Sequence, residues 1–313
     1  MYLGLEILGE AFLEWLKVKA FTPATRKSYR IYVNKFLLYL ESENIESVEA
    51  ISPAILYQYQ TQLYYANSKY GKPLSVLTQH HALVVVKTFF EFLLETDKNH
   101  RYPSSALALP KKPQSLPDTM TPEEIECLIE RPDCTNARGF RNRAIMEVLY
   151  ATGMRNSELC SLEVYDVNVV SEEIRIRVGK GGKERIVPIG EMAREYISEY
   201  LTVIRPRLIK TGTGEQTLFV SKSGRKIDPT DLVMMVRKYA KEAGIEKRIT
   251  PHTFRHTCAT HMLQGGADIR YIQMMLGHES ITSTQLYTHV EITDLKEIHK
   301  KYHPRERKDH ADN

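Results

Sequence analysis

The chain has 313 residues, 42% of them hydrophobic, which exceeds one ordinary domain and suffices for two cores. Its net charge is only +4: residues 1–110 carry 11 basic and 10 acidic side chains and residues 111–313 carry 32 and 29, so bulk charge gives no case for a polyanionic partner. No apolar run reaches the roughly 18 residues of a membrane span, and Glu6, Glu10 and Glu14 stand where a secretory leader would be basic and then apolar, so no membrane contact and a cytoplasmic setting are expected.

Four helical segments are predicted in the first part of the chain, at about 5–19, 22–43, 53–69 and 75–97, with Thr22 before Pro23 as the clearest start signal. Prolines then cluster at Pro103, Pro110, Pro113, Pro117 and Pro122, together with Lys111 and Lys112, in a stretch of little periodicity. This reads as an exposed linker over 109–120, separating a domain at 1–108 from a second at 121–313. The polypeptide is therefore expected to be mainly α with a small β-hairpin or sheet: a helical bundle followed by a mixed α/β domain.

In the second domain, residues 141–150 have helical periodicity, Thr152-Gly153 breaks it, and Asn156 or Ser157 can cap the next turn, which leaves Arg155 in a helix-to-helix junction. Ile174, Ile176 and Val178 alternate with charged residues, Gly179-Lys180-Gly181-Gly182 makes a turn, and residues 183–189 return, so Lys180 rides on a hairpin tip. Thr250 caps a helix beginning at Pro251 and stopped by Gly265-Gly266. On it His252 and Arg255 lie one turn apart, on one face and near a helix N-terminus that favours anions. A second short helix runs over 268–276 and is ended by Gly277, which places His278 at a turn, and Ser280 can cap a third that carries Tyr287.

These residue types suit phosphoryl transfer. Negative charge spreads over equatorial oxygens that forked guanidinium donors can meet two at a time. A phenol with a pKa near 10 needs a base or a strongly positive site to become a nucleophile, and a lysine near arginines can give a proton to a leaving alkoxide. No nucleotide-binding signature is present. His256, His261 and His289 do not form a metal set with His252 and His278, because there is no HExxH and no carboxylate placed for one. Neither a cofactor nor a metal is expected.

The wording GMRNSEL around Arg155, GKGGKERIVPIG around Lys180, HTFRHTCAT around His252, LGH at His278 and the following Tyr287 resembles tyrosine recombinases, most closely those of Xer and phage-integrase type. The resemblance covers roughly 121–290. It implies a core-binding, SAM-like bundle in front of a catalytic domain, and a site-specific recombinase that cuts and rejoins DNA through a 3′-phosphotyrosyl bond without metal or ATP. It implies Tyr287 as nucleophile, Arg155 and Arg255 on the nonbridging oxygens, Lys180 as general acid, His252 as general base and His278 as a donor to the phosphate. The implied partners are a double-stranded DNA site, three further copies in a tetrameric synapse, and a possible second recombinase or activator. Chromosome dimer resolution, phage integration and transposon movement remain alternatives.

Several residues carry two readings. Glu158 is either a simple helix N-terminal acid or a group that orients Arg155 or His278. Tyr271 and Tyr302 are rival nucleophiles, though one precedes the LGH segment and the other lies in a charged tail. The cysteines, Cys127, Cys134, Cys160 and Cys258, show no CxxC or disulfide spacing and read as reduced thiols, with Cys258 a small buried residue. Arg26, Lys27 and Arg30, with Lys111, Lys112, Arg175, Arg177, Lys183 and Arg185, are the cations expected to meet phosphates, and two domains on a basic linker suit a clamp around a duplex. Ile292, Leu295 and Ile298 predict an amphipathic helix over 291–302, packing either on its own chain or on a neighbour. A type IB topoisomerase shares the nucleophile chemistry, and a noncatalytic DNA-binding protein is the third class of function to be distinguished.

Overall fold

Thr22, Ser52 and Ser75 each accept a hydrogen bond from the backbone N–H three residues on, and each starts a helix of the first half. The computed structural model describes residues 3–68, 70–96, 107–111, 118–177, 184–209, 214–277 and 292–306. The chain divides into two compact units, Met1–Ser115 and Leu116–Asn313.

The first unit packs α1 (Leu3–Val18), α2 (Pro23–Ser42), α3 (Pro53–Tyr65) and α4 (Val76–Glu95). Its core is aromatic: Phe12, Phe36, Phe89, Phe90 and Phe92 are buried and meet in edge-on and tilted pairs. Burying each such ring is worth about 1.5–3 kcal/mol. The third helix stops four residues short of the predicted end at 69, because Ala66 turns extended and Asn67 bridges to Pro73 across a turn with Gly71 at φ +72°. After the last helix, Leu107 returns to this core, and the carbonyls of Ala108 and Pro110 accept from Gln60 Nε2 (3.1 Å) and His80 Nδ1 (3.1 Å).

The second unit starts with α5 (Pro122–Glu130), which has a full capping box between Thr121 and Glu124. The buried α6 (Ala137–Thr152) follows, then α7 (Asn156–Ser161) and an antiparallel sheet of β1 (Val167–Asn168), β2 (Glu173–Ile176) and β3 (Arg185–Pro188) in the order β1-β2-β3. Ile174 pairs with Val187, both buried, as the alternation predicts; the short first strand was not predicted. Next come α8 (Gly190–Glu199), continued by a π turn at Tyr200–Ile204 and by α9 (Arg205–Leu208), then α10 (Pro229–Glu242), α11 (Pro251–Gln264), α12 (Ile269–Leu276) and α13 (Ile292–Tyr302). The core gathers on α6, where Ile145, Met146, Val148 and Leu149 are wholly buried with Ile174, Val187, Ile197, Phe219 and Phe254.

The last helix packs on its own chain. Leu295 is buried, His299 Nε2 donates to the Ala151 carbonyl (2.8 Å), and His303 Nε2 donates to the Tyr150 carbonyl (3.2 Å). These are last-turn carbonyls of α6, which have no partner within their own helix, so the two imidazoles cap its end. Arg305 reaches buried Glu147 at 2.9 Å, and Glu306 accepts from the Glu191 backbone N–H at the start of α8 (2.8 Å). The segment after Tyr302, expected to be a charged tail, is thus docked as far as Glu306, because His303, Arg305 and Glu306 meet partners brought in by tertiary packing that cannot be read from local sequence. Among the described residues no helix is long and apolar enough to cross a membrane.

Candidate active site

The break after α6 is made by Gly153, at φ +56°, and the one after α12 by Gly277, at φ +67°. Both sit where a side chain has no room: a Cβ on Gly153 would lie 2.6 Å from Leu276 Cδ2, and one on Gly277 would lie 3.1–3.2 Å from three atoms of Arg185. The two helix ends therefore approach each other closely, and glycine meets both the steric and the conformational demand.

Two guanidiniums use this junction. Arg255, on α11 and 6% exposed, donates to the Gly153 carbonyl (2.9 Å) and the Leu276 carbonyl (2.8 Å). Arg155, at the start of α7, donates to the Gly277 carbonyl (3.1 Å) and to Glu158 Oε1 (2.8 Å). These bonds use two of the five N–H donors of each group, and among the described residues the others have no partner. Burial, followed by the charge of Arg155, brings the Arg255 pKa down to about 10, so its guanidinium stays protonated at neutral pH. His252 is exposed on α11, one turn before Arg255.

Glu158 holds this cationic cluster. Its carboxylate is 2% exposed and takes four hydrogen bonds: Oε1 from Arg155 Nη1 and Arg185 Nη1 (3.0 Å), Oε2 from the Arg155 backbone N–H (2.8 Å) and Arg185 Nη2 (2.7 Å). Burial alone would push its pKa up, but the bonds and charges of Arg185 and Arg155 outweigh it and bring the carboxyl down to about 2. Both sequence readings of Glu158 are realised: it caps α7 and it orients Arg155.

Against this geometry, a model of the phage integrase family matches residues 118–293. Tyrosine recombinase XerC 2 of Ralstonia nicotianae is 37% identical over 296 residues, covering 94% of this chain and 85% of that protein. Tyrosine recombinase XerD of Staphylococcus epidermidis is 35% identical over 297 residues, covering 95% and 98%. The chain belongs to the phage integrase family of tyrosine recombinases. Its fold is also that of the XerH site-specific recombinase bound to difH substrate (TM-score 0.65, 23% identity, 87% of this chain and 78% of that one). A lambda integrase dimer bound to a core site matches likewise (TM-score 0.68, 15% identity, 92% and 98%).

In this tyrosine recombinase, three of the six residues singled out from sequence fall in the described part: Arg155 and Arg255 converge on one helix end, and His252 lies one turn before Arg255 on α11. Lys180, His278 and Tyr287 lie outside the described residues, as does the helix expected after Ser280. Cys258 is buried beneath Gly153, and burial raises its thiol pKa to about 12, which fits a packing residue. Cys160 is also buried, while Cys127 and Cys134 are exposed.

Arg185 overturns one expectation. It was grouped with the phosphate-facing cations, yet its side chain is only 12% exposed and is spent on Glu158 and on the Met275 carbonyl (Nε, 3.0 Å). The available signal was its register: Arg185 shares a strand face with buried Val187, and an inward arginine demands a carboxylate. Arg177 is likewise engaged, with Asp166 and Glu163, and lies over the Tyr165 ring. On α2, Lys27 and Arg30 are exposed, Arg30 lying 3.7 Å from Glu10, and Arg26 is half-buried.

Proposed function

We propose that the chain is a site-specific DNA recombinase that cleaves and rejoins strands through Tyr287. In this reading Arg155 and Arg255 bind the nonbridging oxygens of the scissile phosphate, and the convergence of their guanidiniums on the turn joining Leu276 to Gly277 is the observation that supports it. Both are held in place by hydrogen bonds to that turn, so their donors need little reorganisation as charge builds on the phosphorane oxygens. His252 takes the phenolic proton as the Tyr287 oxygen bonds to phosphorus. The P–O5′ bond breaks, Lys180 protonates the departing 5′ oxygen, and His278 donates to a phosphate oxygen. The 3′-phosphotyrosyl ester keeps the bond energy, so attack by a 5′ hydroxyl reverses the step and seals a strand without ATP.

One nucleophile per chain means that exchanging two duplexes, which takes four strand cuts, calls for four copies on two DNA sites. Chromosome dimer resolution accords with the Xer relatives, and integration or excision uses the same chemistry. The test is a nicked suicide duplex carrying the enzyme's own recombination site, recovered by sequencing DNA that copurifies with Tyr287→Phe protein. Wild-type protein should become covalently attached to it, and Tyr287→Phe should bind with similar affinity and never attach. Attachment by Tyr287→Phe, or none by the wild type, refutes the reading.

A further inference from the structure

Arg185 joins three segments that the strand-cleaving reading needs in one place. Its fork grips both oxygens of Glu158, the carboxylate that holds Arg155. Its Nε binds the carbonyl of Met275, and its guanidinium lies beneath Gly277, the residue before His278. It stands at the start of β3, five positions after Lys180 in the sequence. We propose that Arg185 is a positioning residue for strand cleavage: it fixes the Glu158 carboxylate, and through it the Arg155 guanidinium, against the end of α12. The proposal rests on the reading that Arg155 binds the scissile phosphate.

The chemistry requires a second cation there. With Arg155 as its one partner, this carboxylate, 2% exposed, would keep one donor on each oxygen, the backbone N–H on Oε2 and Nη1 on Oε1, and would have half its lone pairs unmet in a buried place. The Arg185 fork fills those lone pairs and ties the carboxylate to β3. The Nε bond to the Met275 carbonyl ties the same guanidinium, and through it Glu158 and Arg155, to the end of α12. A lysine supplies the charge but not the fork, since one ammonium cannot meet two carboxylate oxygens and a separate carbonyl in that planar arrangement. Arg185 is also too enclosed and too engaged to act as a DNA backbone contact.

The test is single-turnover cleavage of the suicide duplex by Arg185→Gln, Arg185→Lys, Glu158→Gln and the Glu158→Gln/Arg185→Gln double variant. Each is also examined for melting temperature and for the salt dependence of DNA binding. Arg185→Gln should cleave at least tenfold more slowly, with affinity and salt slope unchanged. Its rate should fall further from pH 7 to pH 5.5, because Glu158, short of one cation, begins to take up a proton there; the wild-type rate should lack that component. The double variant should be no more than about threefold slower than Glu158→Gln alone, since residues acting in series do not add. If Arg185→Gln does not fold, Arg185→Lys, which keeps charge and bulk, should melt near the wild type and still cleave at least tenfold more slowly. Cleavage within threefold of wild type by a folded Arg185 variant, multiplying losses in the double variant, or a defect confined to DNA affinity would overturn the proposal. Failure of the wild-type enzyme to form any covalent complex would instead overturn the cleavage reading on which it rests.

Discussion

Arg155 and Arg255 arrive from different helices and donate to consecutive peptide carbonyls, Gly277 at 3.1 Å and Leu276 at 2.8 Å. A shift of that single turn therefore moves both guanidiniums together, which couples the two groups proposed to bind one phosphate.

Replacing either arginine should separate binding from chemistry. Arg155→Ala and Arg255→Ala are each expected to slow covalent attachment by about 100-fold or more, the loss typical of one transition-state donor. Duplex affinity should change little, because many other phosphate contacts carry it. Both should lower stability: Arg255→Ala strips donors from two carbonyls at a buried site, at about 1–3 kcal/mol for each one left unmet, and Arg155→Ala strips one from the Gly277 carbonyl and one from buried Glu158. Single-turnover trapping and urea unfolding on the same preparations check both points.

The two glycines give a graded pair. Gly277→Ala forces alanine to φ +67°, at a cost of about 1–2 kcal/mol, and presses its Cβ against the Arg185 guanidinium. Gly153→Ala meets the same backbone penalty plus a 2.6 Å approach to Leu276 Cδ2. Thermal melting should rank wild type above Gly277→Ala above Gly153→Ala. Cleavage should fall in both, and in Gly277→Ala it should fall by more than its small loss of stability suggests.

The docking of α13 carries a pH signature. His299 is buried as a neutral donor to Ala151, stacked on His303, and burial brings its pKa from 6.5 to about 4. Unfolded protein takes up this proton below pH 6.5 and folded protein does not until near pH 4, so the stability is present above pH 6.5 and is lost as pH falls through that window. At pH 5 His299 alone should cost about 2 kcal/mol relative to pH 7, with His303 acting in the same direction. His299→Gln keeps an N–H for Ala151 but does not titrate, so the difference in unfolding free energy between pH 7 and pH 5 should shrink by about that amount. An unchanged difference would show that the imidazole is not buried in solution.

Much of this architecture is local and so was legible. Thr22-Pro23 and Thr250-Pro251 start α2 and α11 where their capping chemistry says they must, and Gly153 and Gly277 end α6 and α12. The facing of His252 and Arg255 follows from helical spacing alone. Asp228-Pro229 opens α10, a helix absent from the predicted elements. Partnerships across long separations were not legible. Arg185 finds Glu158 across 27 positions, and His299 finds Ala151 across 148. In each case the side chain's direction can be read from its register, but the buried group it is committed to is brought in by tertiary packing.

The central claim is that one phenolic oxygen, that of Tyr287, becomes esterified to DNA. Its most direct test is mass-spectrometric mapping of the trapped complex after nuclease and trypsin digestion. The nucleotide remnant should fall on the peptide running from Tyr271 to Lys296, with fragment ions placing it on Tyr287. A remnant on Tyr271, on Tyr302 or on any other residue would contradict the account.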